Sequence, residues 1–279
     1  MKRSVRVVLI VVFTALLVFS GLQILSRMLQ YKQGQDSYAE LEQFVSIPDT
    51  VSDKTPEKAE IMTPAAPDIE PTEAPEAEPV NQTAWPVIEF EQLEKINPDV
   101  VGWIYIPGTG INYPVVQGID NDYYLHRLFD GSYHNTGCIF MDADNSDDLT
   151  DPHTIIYGHN MKDHTMFAEL ISYEKQEFYD AHPVVLLITP TRQYKIRLFS
   201  GYVSDTWSNA WEKDFGGQDF GDWISNIASR SCFSAEILPT ADDRILTLST
   251  CSYDFDEARF VVHGYIEDSN LIGDHIPAK

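Results

Sequence analysis

Residues 247–265 read TLSTCSYDFDEARFVVHGY. An apolar and β-branched run, beginning at RILTLST, closes on Cys251; a polar, acidic loop follows; a second strand-like run, RFVVHGY, begins at Arg259. A free cysteine on its own packs as a small hydrophobe. At the mouth of a strand, however, a thiol can meet solvent, and Cys251 is then a candidate nucleophile. If the two runs are antiparallel neighbours, the loop returns the Arg259 guanidinium close to the sulfur. A fixed cation there stabilises a thiolate or donates to a tetrahedral oxyanion. The competing reading pairs Arg259 with Asp254, Asp256 or Glu257.

The same alternation of β-branched or aromatic runs with turn residues extends upstream to Trp85. A short helix is expected at FEQLEKIN, and VVGWIYIPGTGINYPVVQG reads as two strands around Pro107-Gly108-Thr109-Gly110. GCIFMD, TIIYGH, VVLLIT, QYKIRLFSGYV, RILTLST and RFVVHGY bring the count to eight strands, enough to close a barrel or build a sandwich. Helical interruptions are expected near HTMFAELISYEK and GQDFGDWISNIASRS. The domain therefore reads as mainly β with inserted helices.

The amino-terminal end has a different composition. Lys2, Arg3 and Arg6 precede 19 uncharged residues, Val7–Leu25, which as a helix would span roughly 28 Å of a bilayer core about 30 Å thick. A cleaved signal peptide would have a shorter apolar region and a small-x-small exit. An uncleaved anchor, with the rest of the chain outside, is the reading adopted. After Leu25 a polar helix can continue. Residues 47–80 then carry seven prolines and nine acids with no aromatic side chain, too little apolar surface to offset ordering entropy. The expected organisation is an anchor over 1–33, a polar, acidic, Pro-rich spacer over 34–84 and a catalytic domain over 85–279.

Charge and metal-ligand patterns exclude other functions. The formal net charge is −24, and from residue 81 onward 12 Lys/Arg face 31 Asp/Glu. Nucleic acid, which requires basic clusters, is not an expected partner. Three cysteines, Cys138, Cys232 and Cys251, cannot all pair and lack zinc-site spacing. Asp142–His153 fails as an EF-hand loop, with Asp147 at the sixth position and His153 at the twelfth. A polar surface loop is the simpler reading.

A thiol acyl transfer needs a proton carrier, usually histidine. His126, His134, His153, His164, His182 and His275 lie in polar contexts expected to be exposed, and His263 sits inside a strand pattern as a structural residue. His159 ends TIIYGH and opens NMKDH, the same kind of strand-mouth position as Cys251.

TLSTC at 247–251, YGHNM at 157–161 and Arg259 heading a β run together resemble the sortases, and most closely class B, the membrane-anchored cysteine transpeptidases of Gram-positive bacteria. NPDVVGWIYIPGTGINYPVVQG, DNDYYLHR and a helix-bearing insert at about 204–236 agree with that resemblance. It implies an eight-stranded β-barrel with inserted and N-terminal helices. It also implies that Cys251 attacks the threonine carbonyl of a C-terminal sorting motif on a secreted protein, leaving a thioester. An amine of a peptidoglycan precursor then takes the acyl group. His159 would carry protons and Arg259 would hold substrate or oxyanion, while Ser249, Thr250 and Tyr253 become candidate substrate contacts. No metal or cofactor is implied. A pilin-polymerising sortase, a secreted cysteine protease or amidase with the same three residues, and a tethered binding module with an idle thiol remain alternatives.

Overall fold

The computed structural model describes residues 3–48, 85–215, 219–252, 254 and 257–271, with backbone alone at 3–9 and 268–271. Helix α1 (Arg3–Leu41) is 39 residues long. It contains, among the described residues, the one helix long and apolar enough to cross a membrane. The polar continuation expected after Leu25 docks onto the domain. Tyr38 and Leu41 are buried, the Tyr38 hydroxyl donates to the Gly137 carbonyl at 2.6 Å, and a His134 ring nitrogen bonds the Gln30 carbonyl at 2.9 Å. Strand β1 (Val45–Ser46) then pairs antiparallel with β2 (Val87–Ile88). The chain thus leaves and re-enters at one place. The proline-rich part of the expected spacer, 49–84, lies outside the described residues.

After α2 (Phe90–Ile96), which replaces the expected FEQLEKIN helix almost residue for residue, come β3 (Val100–Tyr105), β4 (Asn112–Gln117), β5 (Ile139–Met141) and β6 (His153–Tyr157). The next expected helix is a 3-10 segment, Ala168–Glu174, separated from α3 (Gln176–Ala181) by an extended Lys175 at φ −109°, ψ 130°. Strands β7 (Val184–Ile188) and β8 (Arg192–Ser204), helix α4 (Phe220–Ser229), and strands β9 (Ile245–Cys251) and β10 (Arg259–Leu271) complete the order.

All eight expected strands, β3 to β10, close one barrel in the order β10-β8-β7-β3-β4-β5-β6-β9. Neighbours are antiparallel except β4–β5 and β6–β9. The interior is filled by side chains including Ile104, Val115, Leu187, Ile196, Leu248 and Phe260. A second apolar cluster lies outside the barrel wall, where Trp223, Ile224 and Ile227 of α4 cover Phe199, Ile245 and Val261. Asp219 caps α4 by accepting from the Gly221 and Asp222 amides. Covered on both faces, β9 is buried at six of its seven positions instead of at alternate ones, Thr247, Ser249 and Thr250 included.

Two histidines expected to be exposed are buried. His153 is buried, not exposed, and both its ring nitrogens are used: Nδ1 with the Glu212 carbonyl and Nε2 with the Thr247 hydroxyl, each at 2.6 Å. His134 is also buried, against α1. In the acidic loop after β5, Asp148 accepts from Ser146 and Thr150, and Asp151 from Asn145 and Ser146. These acids serve the loop's own turns.

Candidate active site

The parallel β6–β9 pair and the antiparallel β9–β10 pair bring three chain segments to one rim of the barrel. Cys251 and Arg259 are direct Cα partners. Tyr157 is the partner of Ser249, and the Gly158 amide extends the ladder to the Ser249 carbonyl at 3.0 Å. His159, two residues past Tyr157, therefore emerges beside Cys251, two residues past Ser249. The Asn160 side chain donates to the Cys251 carbonyl at 2.9 Å and ties the two strand ends together.

Cys251, His159 and Arg259 line a single open cleft of about 400 Å³. Cys251 is partly exposed. The other thiols are set differently. Cys138 is buried, and loss of hydration pushes its pKa up to about 12; Cys232 is exposed on the surface, away from the cleft lining.

The His159 ring is held by its surroundings. Its Nε2 lies 2.7 Å from the Leu125 carbonyl, so this nitrogen carries the proton and Nδ1 keeps the free lone pair. The His126 ring stacks beside it, with centroids 6.1 Å apart and planes at 25°. Burial lowers the His159 pKa; the Leu125 carbonyl opposes that shift, and the His126 and Arg259 charges add to it. The net effect favours neutral imidazole. Two glycines permit the arrangement. A Cβ at Gly158 would lie 2.4 Å from Ile139 Cδ1, and Gly137, at φ +61°, passes so close to the Leu125 carbonyl that a Cβ would sit 2.6 Å away.

Among the described residues Arg259 forms no ion pair. Its Nη1 donates to the Ala258 carbonyl at 3.1 Å, while Asp254 accepts from Ser252 and Glu257 from Thr206. Arg259 thus lines the cleft without pairing to Asp254 or Glu257, and Asp256 lies outside the described residues.

Ser249 and Thr250 also line the cleft. The Ser249 hydroxyl accepts from the Trp211 indole at 3.3 Å. Thr250 Oγ1 is buried and, among the described residues, has no hydrogen-bond partner. Tyr253 lies outside the described residues. The sequence reading missed Asn121, Trp211 and Tyr157 as cleft residues. Asn121 and Tyr157 stood in motifs already singled out, DNDYYLHR and YGHNM, but neither is a type that signals chemistry by itself.

Comparison with known proteins agrees with this architecture. A family profile described as the sortase domain matches residues 104–267. The sortase B of Listeria monocytogenes is 38% identical over 179 residues, covering 63% of this chain and 73% of that protein. The crystal structure of Staphylococcus aureus sortase B superposes with a TM-score of 0.60 at 39% identity, covering 63% of this chain and 85% of the other. A Bacillus anthracis sortase B structure gives a TM-score of 0.65 at 29% identity, covering 86% of this chain and 98% of the other. With the closed eight-stranded barrel and the strand-end cleft, these matches make the chain a member of the sortase family of transpeptidases, of the sortase B type.

Proposed function

We propose that this enzyme cleaves a C-terminal sorting motif of secreted proteins after its threonine and transfers the acyl group, through a thioester on Cys251, to an amine of a peptidoglycan precursor. The observation that carries the reading is the direct pairing of Cys251 with Arg259 at the rim where His159 also emerges. The Cys251 sulfur attacks the threonine carbonyl, its proton passing to His159 Nδ1. The tetrahedral oxyanion is stabilised by the Arg259 guanidinium, a cation with no competing carboxylate among the described residues. As the scissile C–N bond breaks, His159 returns the proton to the departing amine, leaving the thioester. The acceptor amine attacks that thioester, gives a proton to His159 and displaces the thiolate, which is reprotonated. Ser249, Thr250 and Tyr253 are assigned to substrate contact, Ser249 and Thr250 ahead of Tyr253 because both line the cleft.

Helix α1 supports a single-pass anchor with the catalytic domain outside the membrane, and the basic residues Lys2, Arg3 and Arg6 at the amino-terminal end of the sequence favour that orientation. Mass spectrometry of the full chain with NPxTN-like and LPxTG-like peptides tests the function. A thioester adduct on Cys251, converted to ligated product by added amine, is expected. Hydrolysed product alone in excess amine would point to the protease alternative, and absence of any adduct would reject the reading.

A further inference from the structure

Three walls of the cleft meet on one carboxylate that lies outside it. Asp142, immediately after β5, is 2% exposed. Its Oδ2 accepts from the Tyr157 hydroxyl at 2.9 Å and from the Asn121 side-chain amide at 3.1 Å. Its Oδ1 accepts from Lys213 Nζ at 2.6 Å and from the Asp144 backbone amide at 3.1 Å. Four donors converge on two oxygens, and only an ionised carboxylate, with no hydrogen of its own, can receive them all. Burial works against that charge, but the Lys213 ammonium, the Asp144 amide and the Tyr157 hydroxyl outweigh it and hold the carboxyl below its ordinary range.

The three side-chain donors come from three separate parts of the chain. Tyr157 ends β6, two residues before His159. Asn121 belongs to the loop after β4, and its Oδ1 is fixed in turn by the Ala143 amide at 2.8 Å. Lys213 lies two residues after Trp211, in the segment leading to α4. Tyr157, Asn121 and Trp211 all line the cleft, whereas Asp142 does not.

Resting on the reading of this cleft as the peptide site, we propose that Asp142 is a positioning residue for peptide recognition, locking Asn121, Tyr157 and the Lys213-bearing segment into one wall without touching substrate or Cys251. Removing its charge should loosen peptide capture while leaving the thiol's own reactivity in place. Asp142→Asn forces the mismatch: one of its two atoms becomes an N–H donor facing donors already there.

The full-length wild type, Asp142→Asn, Tyr157→Phe and Asp144→Asn are compared in two assays. These are KM and kcat with a sorting peptide that the wild type turns over, and the rate of Cys251 alkylation by iodoacetamide. For Asp142→Asn, kcat/KM is expected to fall 10- to 100-fold, chiefly through KM, with alkylation within threefold of wild type. Tyr157→Phe keeps its ring against Phe140, loses one donor, and should raise KM 3- to 10-fold. Asp144, exposed and, among the described residues, paired only with Lys213 through its side chain, should tolerate Asn within twofold in both assays.

A wild-type KM in Asp142→Asn, or an equal loss of kcat and alkylation rate, would overturn the proposal. If Asp142→Asn does not accumulate folded, Tyr157→Phe and Asn121→Ala decide, and unchanged KM in both is the overturning result. Wild-type turnover tests the functional reading by itself, and the variant-to-wild-type ratio tests Asp142, so the two can fail separately.

Discussion

The Leu125 carbonyl accepts a hydrogen bond from His159 Nε2 at 2.7 Å. One backbone oxygen, supplied from 34 residues away, thus fixes the tautomer of the proposed proton carrier and leaves Nδ1 for the chemistry.

Activity should therefore persist into mildly acidic solution. Neutral His159 is favoured by burial and by the His126 and Arg259 charges. The acidic limb of kcat/KM, where the imidazole takes up a proton, is expected below the ordinary histidine value of about 6.5. His126→Ala removes one like charge and should move that limb to higher pH. A pH–rate profile of both proteins checks the direction.

Cys251→Ala should abolish thioester formation and turnover. Arg259→Ala should lower kcat about 10²- to 10³-fold, the usual cost of losing one oxyanion donor. Arg259→Lys should recover only part of that loss, because an ammonium cannot reproduce the planar guanidinium fork. Steady-state kinetics with peptide and amine separate these cases.

Gly137→Ala is expected to damage stability and activity together. Its φ of +61° disfavours a side chain, and the added Cβ would press on the Leu125 carbonyl and on His159 Cδ2. A stability loss of about 1–3 kcal/mol by urea denaturation, with a fall in kcat larger than any change in KM, is the predicted signature.

Thr247→Val should destabilise the fold without entering the cleft. Nδ1–H of His153 is used by the Glu212 carbonyl, so its Nε2 accepts from Thr247, which in turn accepts from His263 Nδ1 at 2.7 Å. Valine orphans two buried ring nitrogens, at a cost of about 2–4 kcal/mol. The same burial predicts acid sensitivity of the wild type. The folded His153 pKa lies near 4 and that of His263 is also lowered by burial. The unfolded chain binds these protons near pH 6.5, so stability is complete above that value and declines as pH falls toward 4. Denaturation midpoints from pH 7.5 to 4.5 measure the decline.

Much of this fold was legible because each strand carries its signal locally. The eight runs were readable from β-branched and aromatic residues, and Cys251 and Arg259 were close enough in sequence for one loop to pair them. His159 was harder. Its place beside Cys251 depends on the parallel β6–β9 pairing, a non-local contact that no short motif encodes. His153 was misread as exposed because its partners, the Glu212 carbonyl and Thr247, arrive from 59 and 94 residues away. Trp211 sits in an insert whose packing on Ser249 has no periodic pattern to announce it. The docked end of α1 left a fainter trace. Gly34, Tyr38 and Leu41 recur at helical spacing among polar residues, and all three lie buried against the domain.

The pairing of β1 with β2 changes what the acidic, proline-rich segment can control. Both of its ends are pinned at one spot, so lengthening or shortening it alters a side excursion and not the distance between lipid and barrel. With α1 read as the anchor, that distance is set by the few residues between Leu25 and the first docked contact at Gln30, a helical rise of about 8 Å. Such an enzyme searches a thin layer parallel to the bilayer instead of a hemisphere at the end of a leash. Substrates and acceptors confined to the same layer would meet it by diffusion in two dimensions.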